Sequence, residues 1–354
     1  MRILFITAHL YLPQMFGGLQ QSTNTLATAL IRRGHHASVL CALSPDGLLG
    51  RMCRLKIKLS QNKIARDMLN GYPVYRSWLP WETVASVAKV EKPDVIVVLA
   101  RIPVKMALAA RQTGIPIMMM LQDVEFKEHG GDFKELGNIY CAANSAFTAR
   151  KYYDMFGVNP HVIHPLIFPE KYKTETTREF VTYINPHHLK GLNIALEIAK
   201  ACPDIPFLFQ ESWPLSPDLL TKLNAQIADL PNVTFQHAIP DMRQVYKRTK
   251  ILLIPSEWEE AYGRVASEAQ ISGIPVIASN IGGLPEAVGQ GGVLLDPKGD
   301  VAPWIDAVKF FWSDDAFYQD IVRSAFLHSA RPDLDISNQI DAWEKLLYLV
   351  SKRV

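Results

Sequence analysis

The sequence predicts an α/β protein of two Rossmann-like domains in tandem, each a parallel sheet flanked by helices. Short apolar runs alternate with longer stretches of helical period along the whole chain, as stacked βαβ units require. The alternation breaks once, in a polar stretch carrying Pro165 and Pro169, and then starts again. The length of 354 residues exceeds what one core holds, and 48% hydrophobic residues are enough to fill two.

Taken in order, the first domain is expected over 1–165. Its strands are the apolar runs at 3–7, 37–41, 95–99, 117–121 and 139–143. These are nearly continuous rather than alternating, the pattern of strands covered on both faces. Gly17 and Gly18 follow the first run and precede a helical stretch at 21–32, so a backbone amide there can approach an anion without a Cβ in the way, or the pair is a plain flexible loop. A linker is expected at 166–179, and a second domain over 180–330 with strands at 180–184, 207–209, 233–235, 251–254, 276–278 and 293–294. The remaining 331–354 hold a helix at 336–349, with Ile336, Ile340, Trp343, Leu346 and Leu347 on one face, which is expected to pack back on the first domain.

Composition excludes several classes. A net charge of +2 gives no field that would recruit nucleic acid. Cys41, Cys53, Cys141 and Cys202 are scattered without a C-x-x-C pair and read as reduced thiols of a cytoplasmic protein. The opening MRILFIT reads as a buried strand rather than a secretory leader, and no apolar run nears the roughly 20 residues that span a bilayer. His164 and the pair His187 and His188 have no third ligand at metal spacing, so no metal site is expected. The stretch 51–66 holds six basic residues and no acid; by itself it reads as a mobile solvated loop, and a peripheral membrane contact is what the family resemblance given below implies for it. Trp78 and Trp81 are either a platform on which a ligand ring stacks or core aromatics.

The densest chemistry lies after the strand at 251–254, where Glu260 and Glu268 flank Tyr262-Gly263-Arg264 at the start of a helix. A helix start offers unpaired N–H groups to a phosphate, and a carboxylate on either side can grip sugar hydroxyls. A nucleotide sugar presents both needs together, although acids near a helix start are also ordinary dipole complements. Lys190 opens the helix after the strand at 180–184, where a cation opposes the helix dipole by up to about 1 kcal/mol. It either turns away into solvent or has an anionic partner. The glycine turn Ile281-Gly282-Gly283-Leu284-Pro285-Glu286 reads equally as structure or as ligand contact.

The segment from Glu260 to Glu268 resembles the donor signature of the family 4 retaining glycosyltransferases, two glutamates eight positions apart around a glycine. The opening Gly17-Gly18 loop and Tyr183-Ile184-Asn185-Pro186-His187-His188-Leu189-Lys190-Gly191 are similar to two further motifs of that family, in its order. The resemblance implies a GT-B fold with the active site in a cleft between the domains. It implies transfer of a sugar from a nucleoside diphosphate donor, UDP in the first instance, to a hydroxyl of a small-molecule, glycan or lipid-linked acceptor with retained configuration, with no cofactor. It implies Lys190 and the amides of Gly263, Arg264 and Val265 on the diphosphate, Glu260 on the donor sugar, Glu268 on ribose, Tyr262 within the donor motif, and Gly17 and Gly18 closing over the diphosphate. No D-x-D signature accompanies these motifs, so the reaction is expected to be metal-independent. Two positions depart from the pattern. Asn185 stands where the family often has an arginine clamp, leaving Asn185 itself or Arg264 to replace it. Gln122-Asp123 stand where a histidine is usual, and glutamine cannot be a general base, so both are read as acceptor-positioning residues or as a strand end, with His129 six residues on. An epimerase or phosphorylase of the same fold, or a nucleotide-sugar binding protein without turnover, are the competing readings.

Overall fold

The computed structural model describes residues 1–60 and 62–352. The chain divides into two compact units, Met1–Leu166 with Ile336–Val354, and Ile167–Asp335.

The first unit holds β1 (Arg2–Leu10), β2 (His36–Ala42), β3 (Ala65–Asp67), β4 (Val74–Ser77), β5 (Val95–Val98), β6 (Ile117–Leu121), β7 (Tyr140–Ala143) and β8 (His161–Val162). They form one sheet in the order β3-β4-β2-β1-β5-β6-β7-β8, parallel except for the antiparallel edge pair β3 and β4. The central register sets Phe5 opposite Val39 on one side and Val97 on the other. Leu4, Ile6, Ile96 and Val98 face Val84, Val87, Val104 and Ala107 of the helices Pro80–Glu91 and Pro103–Arg111. The helix Ile336–Ser351 belongs to this unit and buries Ile340, Trp343, Leu346, Leu347 and Val350. Arg33 reaches Asp341 at 2.9 Å, His35 Nε2 meets Glu344 Oε1 at 2.8 Å, and Gln339 donates to the His164 carbonyl at 3.2 Å.

The second unit holds β9 (Phe180–Ile184), β10 (Phe207–Gln210), β11 (Val233–Gln236), β12 (Thr249–Ile254), β13 (Val276–Ser279) and β14 (Gly292–Leu295), all parallel, in the order β11-β10-β9-β12-β13-β14. Along β12, Ile251 and Leu253 pack with Trp304 and Val308, while Leu252 and Ile254 pack with Ala266, Ala269 and Leu284. Both faces are therefore covered, which is why these strands are continuously apolar in sequence. The stretch 166–179 lies against this unit from Ile167 onward: Thr174 N donates to Ser272 Oγ at 3.0 Å, and Thr177 N to the Lys247 carbonyl at 2.6 Å.

The basic stretch 51–66 is not a loop. Residues Gly47–Leu59 form a helix and 65–67 the strand β3, with Gln61 outside the described residues. Cys53 and Ile57 face inward onto Leu43 and Ala65 and hold the helix in place.

Candidate active site

In an open parallel sheet, ligands bind beyond the carboxyl ends of the two strands where the winding order reverses. In the second unit those strands are β9 and β12. Asn185 to Lys190 leave the end of β9, and Ser256 to Glu260 leave the end of β12, so the lysine turn and the first glutamate share this point. Backbone bonds join the two loops, because Glu257 N and Trp258 N both donate to the Leu189 carbonyl at 3.1 Å. Gly191 has φ +79°, and a Cβ there would lie 1.8 Å from the Pro255 carbonyl oxygen, so only glycine lets the turn lie this close to the end of β12. Lys190 Nζ thereby reaches Glu260 Oε1 at 2.5 Å, and Ser256 Oγ donates to the same oxygen at 3.1 Å.

The glycine turn after β13 supports the Glu260 loop. Gly282 has φ +63°, and a Cβ there would sit 2.5 Å from the Glu260 carbonyl oxygen. Gly283 N donates to that same carbonyl at 2.7 Å. These two glycines fix the Glu260 backbone by close approach.

Gly263, at φ +101°, precedes the helix Arg264–Gln270. The helix has only 7 residues, so its contribution to an anion comes mainly from the N–H groups of its first turn. Val265 packs against the core on its outer side. Tyr262 is buried in that core, and its hydroxyl lies 2.9 Å from Ser267 Oγ, so what it offers a ligand is backbone. Glu268 is buried with a partner on each oxygen: Tyr246 OH donates at 2.9 Å, and Arg264 lies at 3.2 Å. Arg264 also donates to Tyr172 OH at 3.4 Å. Burial pushes the Tyr172 hydroxyl up to about 12, with Glu268 adding to the effect, and raises Tyr246 for the same reasons, so both stay protonated donors. Arg264 is thus held beside Glu268 and Tyr172.

In the first unit the winding order reverses between β1 and β5, and the loop after β1 carries Gly17 and Gly18. Gly17 is extended at φ −171° and precedes the helix Gly18–Arg32. The loop is anchored by Arg76, which is fully buried: it donates to the Leu12 carbonyl at 2.6 Å and pairs with Asp67 at 2.7 Å. Tyr11 OH, Tyr72 OH and Asn24 Oδ1 form a chain with both steps 2.7 Å.

Two family models match the chain in tandem: "Glycosyltransferase Family 4" over residues 16–171 and "Glycosyl transferases group 1" over residues 216–328. In both of its units the chain is similar to the family 4 glycosyltransferases. A D-inositol 3-phosphate glycosyltransferase of Mycobacterium sp. (strain KMS) is 36% identical over 142 residues, which are 38% of this chain and 31% of that protein, so the match spans less than a third of the relative's length. Among solved structures, a glycosyltransferase from Rickettsia africae has a TM-score of 0.77 at 15% identity, covering 99% of both chains. Alr3699/HepE of Anabaena, solved in complex with UDP and glucose, has a TM-score of 0.77 at 20% identity, covering 98% of this chain and 99% of its own. The fold is that of the GT-B glycosyltransferases.

Gln122 and Asp123 follow the end of β6, and Asn144 the end of β7. Gln122 Oε1 and Asn144 Oδ1 are buried without a hydrogen-bond partner among the described residues, and Asn144 Nδ2 donates to the Gln122 carbonyl at 3.3 Å. Burial, with Glu128 nearby, raises the Asp123 carboxyl above its ordinary value, against the Glu125 N–H that it accepts at 3.3 Å. His129 is a core residue: it sits among Phe126, Phe133 and Phe156, with Nε2 3.1 Å from Tyr152 OH, and burial lowers its pKa. Trp81 packs on the core under the Lys105 ammonium, 4.0 Å from its ring, whereas Trp78 is exposed. Among the described residues, no group of three or more His, Cys, Asp or Glu could hold a metal ion.

Sequence reasoning missed Trp213. It lies in the loop after β10, and Lys190 Nζ stands 5.9 Å from its ring centre. That loop is held on both sides of the ring: Ser212 N donates to Asn185 Oδ1 at 2.9 Å, and Leu215 N to Glu211 Oε1 at 2.6 Å. The other Glu211 oxygen accepts from Ala238 N at 3.0 Å and meets His237 at 3.1 Å. Burial alone would raise the Glu211 carboxyl, but these amides and His237 outweigh it and hold the pKa below the ordinary value. Asn185 therefore spends its carbonyl oxygen on positioning the Trp213 loop. The one sequence signal for Trp213 was its place just beyond a strand's carboxyl end.

Proposed function

We propose that this glycosyltransferase takes its sugar from a nucleoside diphosphate donor, UDP-linked, and passes it to an acceptor hydroxyl with retention of configuration and without a metal ion. The observation that carries this reading is the contact of Lys190 with Glu260 at the β9/β12 switch point. One cation and one carboxylate are fixed there by each other and by Ser256. In this reading Lys190 and those amides take the diphosphate, and Glu260 takes hydroxyls of the donor sugar. Each carboxylate oxygen can accept more than one bond, so Glu268, oriented by Tyr246 and Arg264, keeps capacity for the ribose hydroxyls. Tyr262 contributes backbone only. Asn185 acts through the Trp213 loop, and Gly17 and Gly18 are the first unit's diphosphate loop.

The step forms a bond from the acceptor oxygen to the anomeric carbon and breaks the bond from that carbon to the β-phosphate oxygen. The acceptor proton passes to the departing phosphate on the same face, so no protein base is needed at Gln122. Gln122 and Asp123 position the acceptor. Charge builds on the leaving diphosphate in the transition state, where a fixed cation stabilises it most. The UDP bound by the Anabaena neighbour and the inositol phosphate in the mycobacterial relative's name suggest which donors and acceptors to try first. We place the enzyme in the cytoplasm, where nucleotide sugars are made and where its buried free thiols stay reduced.

The test is to incubate the protein with UDP- and GDP-sugars and a pool of polyol, glycan and lipid-linked acceptors, and to follow nucleotide release with and without acceptor. Acceptor-dependent UDP release, unchanged by a chelator and giving a product of the donor's anomeric configuration, is expected. Release without acceptor would point to an epimerase. Donor binding without any release would point to a sensor.

A further inference from the structure

The candidate donor loops leave the carboxyl ends of β9 and β12, and the opposite edge of the same sheet holds a cavity of about 440 Å³. Small-molecule sites span roughly 300–1,000 Å³. Lys173 to Thr176 and Arg178, which lead into β9, form one part of its wall, and Ser272 and Gly273, which lead into β13, form another. Tyr318 and Phe326 of the helix Asp315–Ser329 complete it, all within the second unit. Six residues of β12 separate this edge from the Glu260 loop, about 20 Å at the usual rise per residue. A molecule bound here is out of reach of the transfer step.

The wall combines buried aromatic surface with positive charge. Tyr318 is 2% exposed and its hydroxyl donates to the Lys250 carbonyl at 3.0 Å, while the Arg178 guanidinium and the Lys250 ammonium stand 5.1 and 5.2 Å from its ring centre. Burial lowers the Lys250 pKa; Asp315 opposes this and Arg178 adds to it, so two cations crowd one ring. Lys173 brings a third cation, and among the described residues neither it nor Arg178 forms an ion pair with Glu175 or any other carboxylate. Glu179, the next acid along, is taken by Arg248 at 2.9 Å. Arg178 holds φ +58°, a backbone that glycine takes freely and arginine rarely, and such strain clusters at ligand sites. Phe326 is 43% exposed and lies against Gly273, where a Cβ would come within 2.4 Å of its ring.

We infer that this cavity binds a small organic anion built on a flat ring, with the ring against Tyr318 and Phe326 and the anionic group held by Lys173 and Arg178. A bare anion would leave the aromatic surface uncovered, and an apolar ring alone would leave the cations without a counter-charge. An aryl or nucleoside phosphate meets both needs, since the planar guanidinium matches phosphate geometry. The ligand is bound here without being consumed. The inference does not rest on the donor chemistry at the other edge of the sheet.

Titration calorimetry of the full chain with phenyl phosphate, inorganic phosphate and phenol tests it. Phenyl phosphate should bind, and each of the other two should bind at least about tenfold more weakly, because each lacks one half of the contact. Arg178→Gly suits the left-handed backbone, so it should keep the wild-type circular dichroism while losing at least about tenfold in affinity for phenyl phosphate. Phe326→Ala should lose about fivefold. The affinity should be the same in Lys190→Ala and in the presence of UDP, since neither change touches the cavity. Absence of phenyl phosphate binding would overturn the inference. So would equal affinity in Arg178→Gly and the wild type, or inorganic phosphate binding as tightly as phenyl phosphate, which would reduce the cavity to a patch of surface charge. Displacement by UDP, or loss of binding in Lys190→Ala, would overturn it by placing the anion in the donor site.

Discussion

Lys190 Nζ and Glu260 Oε1 stand 2.5 Å apart across 70 positions of sequence. The contact joins the turn after β9 to the loop after β12, and it gives the proposed diphosphate and sugar ligands a fixed mutual geometry. Two charges that orient one another act as a unit.

Lys190→Ala and Glu260→Ala should therefore each lower turnover by more than about tenfold, the range for losing a charged transition-state contact. The double variant should lose little beyond the worse single one. Steady-state kinetics with circular dichroism as the folding control measures this. Wild-type rates in both single variants would remove the assignment.

Gly282→Ala places a methyl group 2.5 Å from the Glu260 carbonyl at φ +63°. The left-handed backbone alone costs a non-glycine residue about 1–2 kcal/mol. A modest fall in melting temperature should accompany a fall in kcat/KM of at least about tenfold, a factor worth about 1.4 kcal/mol of transition-state stabilisation. Unchanged kinetics would mean that the Glu260 backbone position does not matter.

Trp213→Ala should weaken UDP-sugar binding by about tenfold, the size of one aromatic stacking contact. Trp213→Phe should keep most of the affinity. Glu211→Gln, which loosens the loop anchors without touching the ring, should fall between them. Titration calorimetry separates the three, and equal affinity in Trp213→Ala would make the ring a bystander.

Stability should fall in acid partly through Glu91, which accepts from Tyr75 OH at 2.5 Å and meets His36 at 2.9 Å and Arg2 at 3.1 Å. Burial works against its charge, and these partners outweigh it, so the folded pKa lies below the ordinary 4.5. Between those two values the unfolded chain holds the proton and the native chain does not, so stability rises with pH across that window. The contribution is fully present above 4.5 and is lost as pH falls through the folded value. Urea unfolding of Glu91→Gln should show lower stability at neutral pH and a shallower acid limb. Parallel curves for variant and wild type would contradict this.

The central strands, and the strand-to-helix turn that carries Glu260, Gly263 and Glu268, were legible because their causes are local. A strand covered on both faces must be apolar throughout, as 251–254 is, and Glu260, Gly263 and Glu268 lie within one strand-to-helix turn. The helix Gly47–Leu59 was not legible, because apolar residues on both its inner and outer faces blur the single-stripe period that marks an ordinary surface helix. Nor were the partners of Glu268 and Ser212, since Tyr246 and Asn185 come from elements 22 and 27 positions away in sequence and meet them only through the sheet. Asn185 itself was visible as an oddity, and its anchoring of Ser212 was not.

The helix Ile336–Ser351 completes the first unit after the second has been made. The second unit is thus, in topology, a long insertion between two pieces of its neighbour. On the ribosome, the earlier sheet must wait with the seat for Trp343 and Leu347 uncovered until the last turn of helix emerges. The middle of the chain can finish folding first, so the order of maturation runs against the order of synthesis, and a lesion in the final helix would fall on the half of the molecule made earliest.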